Sequence, residues 1–196
     1  MRRGWTRLWA SASLALLAGC GTATLAQAPE KKRGVEHQNE LSLAGLRPGR
    51  DTVHRARELY RAPDQRPGED SSETVWSDAC GKQTLTVETD QAHRIQTVRT
   101  SVSTGLTGIC GPSGVSPWGT GLGLRLGDSA NRVTRLYGKP DSRSPSTKGG
   151  QKLELLYYAF DWAGPDVPQV MEVLCTVGKD GEPGRVVEIT LAASSL

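Results

Sequence analysis

Four cysteines and three histidines are the residues of this 196-residue chain best suited to chemistry, and their neighbours decide which chemistry. Cys20 ends the run Leu17-Ala18-Gly19-Cys20, two small residues before a thiol at the close of an apolar stretch. Arg2, Arg3 and Arg7 precede that stretch, the order of a leader for export. Cys80 and Cys110 lie in Ala79-Cys80-Gly81 and Ile109-Cys110-Gly111, loop-like edges that bracket a strand pair. They are expected to form a disulfide closing a loop of about 30 residues, a contribution of about 3 to 4 kcal/mol by chain entropy. Three thiols remain once Cys20 is set aside, so one stays unpaired within a monomer. Cys175 falls in strand-like sequence and is expected to be a small core hydrophobe rather than a reactive thiol. No Cys-x-x-Cys spacing occurs and no histidine stands near these cysteines, so no metal site is expected.

The histidines offer less. His37 lies in a polar segment, His54 on the polar side of a helix, and His93 in a turn beside Asp90. His93, Asp90 and Ser101 can be drawn as a hydrolytic triad, but that is composition rather than geometry, and a Ser/His hydrolase is the lowest-ranked reading. Gly111-Pro112-Ser113-Gly114 does not have the spacing of a nucleophile elbow. Gly119, Gly121 and Gly123 lack the third glycine of a dinucleotide loop, and no phosphate-loop motif is present. No catalytic residue, small-molecule cofactor or metal is therefore expected. Trp118, between Pro117 and Gly119, is a candidate partner contact, because Trp is enriched at interface hot spots. Packing of the same ring over the sheet edge is the competing reading.

The start of the chain resembles the lipobox of an exported bacterial lipoprotein precursor, with residues 1-19 as signal peptide. That resemblance implies cleavage before Cys20, a diacylglycerol on its thiol and an acylated amine. Leu8 to Gly19 is too short for a bilayer span, which needs about 20 apolar residues. Several acyl chains anchor firmly, at about 0.8 kcal/mol per buried methylene. Gly21, in a diderm, points to the outer membrane facing the periplasm. Ala26-Gln27-Ala28 fits ordinary secretory cleavage and would instead give a soluble periplasmic or secreted protein. The leader arginines account for the whole excess of 24 basic over 21 acidic residues. A neutral mature chain without a basic stripe gives no reason to expect nucleic acid as a partner. Lys31-Lys32-Arg33 reads as part of a solvated tether.

What must position any site is a folded part beginning near Leu43, after a polar tether over 20-42. Asp51 to Asp64 aligns without gaps on Asp128 to Asp141, with six of fourteen positions identical. Gly45-Leu46-Arg47-Pro48-Gly49 likewise matches Gly123-Leu124-Arg125-Leu126-Gly127. An internal repeat of this kind sets the architecture. Each copy reads as a short helix, with Asp51 or Thr52 and Asp128 or Ser129 expected to cap the first turn. Val53, Ala56, Leu59 and Tyr60, and Ala130, Val133, Leu136 and Tyr137, form one apolar face each. Gly138 suits a stop, and Pro63 and Pro140 cannot continue a helix. Strands are expected over Thr84 to Glu88, Arg94 to Val98, Leu153 to Phe160, Val170 to Val177 and Arg185 to Leu191, with Glu73 to Trp76 the weakest.

The expected fold is α+β: two tandem helix-plus-three-strand units forming an antiparallel sheet with helices packed on one face. The first unit spans 43-104, a Gly/Ser/Pro-rich connector 105-121, and the second unit 122-196. Gly-Leu-x-x-Gly, a short helix, then Tyr and Pro resembles the envelope lipoproteins of the SmpA/OmlA type and the tandem-repeat β-lactamase-inhibitor-like fold. Gly45, Gly49, Tyr60 and Pro63, and Gly123, Gly127, Tyr137 and Pro140, carry that resemblance as fold markers. It implies a role in outer-membrane protein assembly for one-copy members and enzyme inhibition through an exposed sheet face for two-copy ones. The expected function is a non-enzymatic cell-envelope lipoprotein, membrane-held through its lipid, that binds an envelope protein of unknown identity. A secreted periplasmic inhibitor of a hydrolase is the alternative.

Overall fold

Among the described residues, seven strands lie in a single antiparallel sheet, with one short helix ahead of the first strand and another between the third and fourth. The computed structural model describes residues 38–61, 63, 72–103, 118–160, 169–178 and 183–193, all within one compact unit. Helix α1 (Val53–Tyr60) precedes β1 (Glu73–Asp78), β2 (Gln83–Thr89) and β3 (Ile95–Val102). Helix α2 (Ala130–Tyr137) precedes β4 (Ser142–Lys148), β5 (Gln151–Phe160), β6 (Gln169–Thr176) and β7 (Val186–Ala193). The sheet order is β1-β2-β3-β7-β6-β5-β4, so the β3–β7 pairing joins the two halves of the chain at its centre. The architecture is a mixed α+β fold.

Both helix entrances are built by the same bonds. The Gly49 and Gly127 amides donate to the Ile95 and Val186 carbonyls, and the amides of Ile95 and Val186 donate back to Asp51 and Asp128. Gly49 and Gly127 hold φ of 75° and 84°, a region that side-chain-bearing residues seldom enter, which explains why glycine recurs there. Thr52 bridges Arg94 and Ser129 bridges Arg185, just ahead of β3 and β7. The caps differ from expectation. Neither Thr52 nor Ser129 makes a side-chain cap bond. Asp51 Oδ2 instead accepts from the Arg47 amide and Asp128 Oδ2 from the Arg125 amide, both at 2.8 Å. The aspartates close the glycine turn ahead of the helix, so the carboxylate is already engaged when the first helical amides come into reach.

Strand alternation puts side chains on two faces. One face carries the rows Thr74–Val87–Val98–Leu191–Met171–Tyr158 and Trp76–Leu85–Thr100–Ile189–Val173–Leu156. Ala56 of α1 and Val133 and Tyr137 of α2 join these strand residues in one buried core with Leu43, Leu46, Trp118 and Leu124. Tyr137 packs on Tyr158 and Phe160 at ring separations of 5.8 and 6.4 Å.

Three expectations are corrected. Four strands, not three, follow α2, so the two halves are not equal helix-plus-three-strand units. The additional strand, β4, reads Ser-Arg-Ser-Pro-Ser-Thr-Lys and is almost wholly exposed. It carries no apolar alternation, and Pro145 is tolerated because an edge strand has one side free of ladder bonds. The tether boundary at 42 falls inside the fold, because Glu40 is 2% exposed. The connector boundary at 121 does too, since Trp118 and Thr120 are buried and Leu43 bridges Thr120.

Candidate protein-binding face

The opposite face of the sheet contributes nothing to the buried core cluster and carries neither helix among the described residues. Its central rows run Thr86–Arg99–Thr190–Glu172–Tyr157 and Thr84–Ser101–Glu188–Leu174–Leu155. The flank made by β2 and β3 is hydroxyl-rich, and the Thr84 and Ser101 side chains meet at 2.8 Å. The flank made by β5 and β6 presents half-buried Leu155, Tyr157, Val170 and Leu174. A charged chain separates the two. Arg99 reaches Glu88 at 3.4 Å and Glu188 at 4.0 Å, and Lys148, from the end of β4, contacts the second Glu188 oxygen. The Glu188 side chain is 12% exposed, so its carboxylate is mostly desolvated and held by these two cations. A face of this kind, apolar on one flank and polar on the other, suits recognition of another macromolecule's surface.

The candidate contact residue is elsewhere. Trp118 is 5% exposed and stands edge-on to Tyr60 at 6.0 Å, so it is a core residue and not a surface anchor. Proline and glycine neighbours gave it the look of a loop, whereas the ring joins the core cluster beside Tyr60 of α1. The residues of the helix-free face were missed because half-buried Leu155, Tyr157 and Leu174 alternate with core residues and read as ordinary strand.

The drawn triad is not assembled. Asp90 Oδ1 accepts from the Ala92 and Arg94 amides at 2.9 Å and Oδ2 from Gln96, so its carboxylate organises the β2–β3 turn. His93 is exposed in that turn with φ of 58°. Ser101 lies six residues up β3 from Ile95, roughly 20 Å of strand away at about 3.4 Å per residue. His54 faces solvent and pairs with Glu58 at 3.3 Å. Cys175 is wholly buried, and burial pushes its thiol up to about 12, Glu154 adding and Arg143 opposing. Cys80 occupies the exposed turn after β1, its amide on Asp78 Oδ1. Cys110, Cys20 and His37 lie outside the described residues. No cluster of three or more His, Cys, Asp or Glu suited to a metal ion occurs among the described residues. No helix among them is long and apolar enough to cross a membrane.

No protein-family model matches the chain, and comparison with curated proteins finds no relative. Among solved structures, the chain is similar to a DUF4309 family protein of Bacillus subtilis, at 14% identity and a TM-score of 0.45 over 79% of this chain and 88% of the other. It is also similar to a cysteine-rich secretory protein of Staphylococcus aureus, at 15% identity and a TM-score of 0.43 over 81% of this chain, spanning 49% of that longer one.

Proposed function

We propose that this chain is a non-enzymatic lipoprotein of the bacterial envelope, held through Cys20, which binds another envelope protein on the helix-free face of its sheet. The observation that carries the reading is the face itself: half-exposed Leu155, Tyr157, Val170 and Leu174 beside the Arg99–Glu188–Lys148 charges, with neither of the described helices over them. An inhibitor of a hydrolase would use the same face and would be expected to line it with exposed aromatics. Tyr157 is the single aromatic on its central rows, which favours the assembly-module reading. The matched helix entrances support an ancestral duplication in which β1–β3 correspond to β5–β7 and β4 is an addition. Cys80 pairs with Cys110 in this reading.

A photo-reactive residue placed at Tyr157 in the native host, with a second at Leu59 on the helix side as control, tests the proposal. Crosslinks to one envelope protein from position 157 and none from 59 are expected. Crosslinks from 59 alone, or from neither, would overturn the docking face. Intact mass with detergent partitioning tests the anchor: an acylated chain beginning at Cys20 is expected, and a soluble chain beginning at Pro29 would sink it.

A further inference from the structure

We infer that the niche around Glu40 is a carboxylate-binding site built largely by the second half of the chain and filled in cis by the strap 38–42. Glu40 Oε1 accepts from the amides of Leu41 at 2.9 Å, Ser42 at 3.0 Å and Gly121 at 2.9 Å. Oε2 accepts from the Leu122 amide at 3.0 Å and from the Tyr137 hydroxyl at 2.7 Å. Five donors saturate the lone pairs of one carboxylate. Among the described residues no ion pair includes Glu40, and its carboxylate meets amide and hydroxyl donors.

Of the donors from the body, Tyr137 is fixed independently of the strap, whereas the Gly121 amide is shared between Glu40 and the strap's Ser42 carbonyl at 3.0 Å. Tyr137 has one proton and spends it on Glu40, so the Thr120 hydroxyl, 2.7 Å away, must donate to the Tyr137 oxygen. Thr120 Oγ1 in turn accepts from the Leu124 amide at 3.0 Å. A relay of aligned donors therefore ends on the carboxylate, each bond polarising the next. Gly121 is shaped to the same purpose: a Cβ there would stand 2.6 Å from Glu40 Oε1. Among the described residues the first half shows no such niche. Its matching tyrosine, Tyr60, donates to the Ala44 carbonyl, and the Ala44 amide is taken by Gly119.

A carboxylate supplied in trans, from an acidic side chain or a chain terminus, has the chemistry to compete with Glu40. Displacement would release residues 38–42 and add up to about 17 Å of reach to the tether, at about 3.4 Å per residue. The test uses the full chain with Glu40→Ala, which deletes one methylene and the carboxylate, the very shape of acetate. Thermal midpoints are followed against sodium acetate, with sodium chloride at equal ionic strength as control. Glu40→Ala is expected to melt lower than the native chain and to gain stability saturably with acetate. A roughly elevenfold rise in the folded-to-unfolded ratio is expected when acetate reaches ten times its dissociation constant. The native chain should respond to the two salts alike, and Gly121→Ala added to Glu40→Ala should abolish the rescue. Acetate and chloride acting equally on Glu40→Ala would overturn the site, as would an unchanged melting point. If Glu40→Ala does not fold unaided, refolding yield in acetate against chloride reads the same question.

Discussion

The two halves of this molecule start their helices with the same bonds and bury them to different depths. In α1 only Ala56 is fully buried, and Leu59 stands 40% exposed. In α2 the matching positions are Val133, fully buried, and Leu136, packed against the core. Tyr60 makes its hydroxyl bond to a main-chain carbonyl, whereas Tyr137 makes its bond to a buried carboxylate that ties in residues 38–42. The second half also gains β4 and the Lys148 contact with Glu188. One local solution to helix entry thus supports two surroundings, and stability is expected to concentrate where α2, β5 and β6 meet. The first half is left with the shallower helix.

The largest expected difference between the halves comes from removing one oxygen from each tyrosine. Tyr137→Phe deprives the Glu40 carboxylate of a donor and is expected to cost about 2 kcal/mol, since hydrogen bonds to charged groups contribute most. Tyr60→Phe removes a neutral bond and is expected to cost about 1 kcal/mol. Denaturant midpoints at an unchanged slope measure both. Equal costs would break the comparison, because the Glu40 niche would then add nothing to the second half.

Much of this contrast lay open to sequence reading and part did not. The repeated Gly-Leu-x-x-Gly and the Leu-Tyr pairs were legible because backbone geometry demands them twice. Six of the seven strands carry apolar alternation or β-branched runs. β4 was illegible because an exposed edge needs no apolar face, and its Ser-Arg-Ser-Pro sequence carries the signals of a loop. Glu40 was illegible for a different reason. Its partners Gly121, Leu122 and Tyr137 lie 81 to 97 residues away, and nothing in its own neighbourhood announces burial. Trp118 stood open to two readings, since Pro117 and Gly119 speak for a loop while the core claims the ring.

Truncation of the paired leucines sharpens the comparison further. Leu136→Ala withdraws a partly buried side chain from the core and is expected to cost about 1 to 2 kcal/mol. Leu59→Ala changes a largely solvated position and is expected to stay within about 0.5 kcal/mol. Unfolding followed by Trp fluorescence is well suited to both, since Trp76 and Trp118 pack near Tyr60. A loss at Leu59 as large as at Leu136 would mean that α1 is packed as tightly as α2.

Alkaline pH separates the halves by a smaller margin. Burial raises Cys175 from 9.0 to about 12 and Tyr158 from 10.0 to about 12, and lifts Tyr137 well above the tyrosine range, Glu40 adding to the rise; all three lie in the second half. The first half contributes Tyr60, raised by burial to about 12. Each of these groups is neutral when protonated and holds its proton more tightly in the folded chain than in the unfolded one. Their stabilisation is therefore complete below the ordinary value and is lost as pH climbs towards the folded one. Cys175 begins this loss first, from about pH 9, and the decade from pH 9 to 10 is expected to cost about 1 kcal/mol. Tyr60, Tyr137 and Tyr158 follow about one pH unit behind, each losing about 0.4 kcal/mol by pH 10. Denaturant midpoints at pH 8, 9 and 10 should fall for the native chain and only about half as far for Cys175→Ala, whose remaining fall comes from the buried tyrosines. An equal fall in both would place the alkaline weakness outside β6, and the second half would no longer be the one that base opens first.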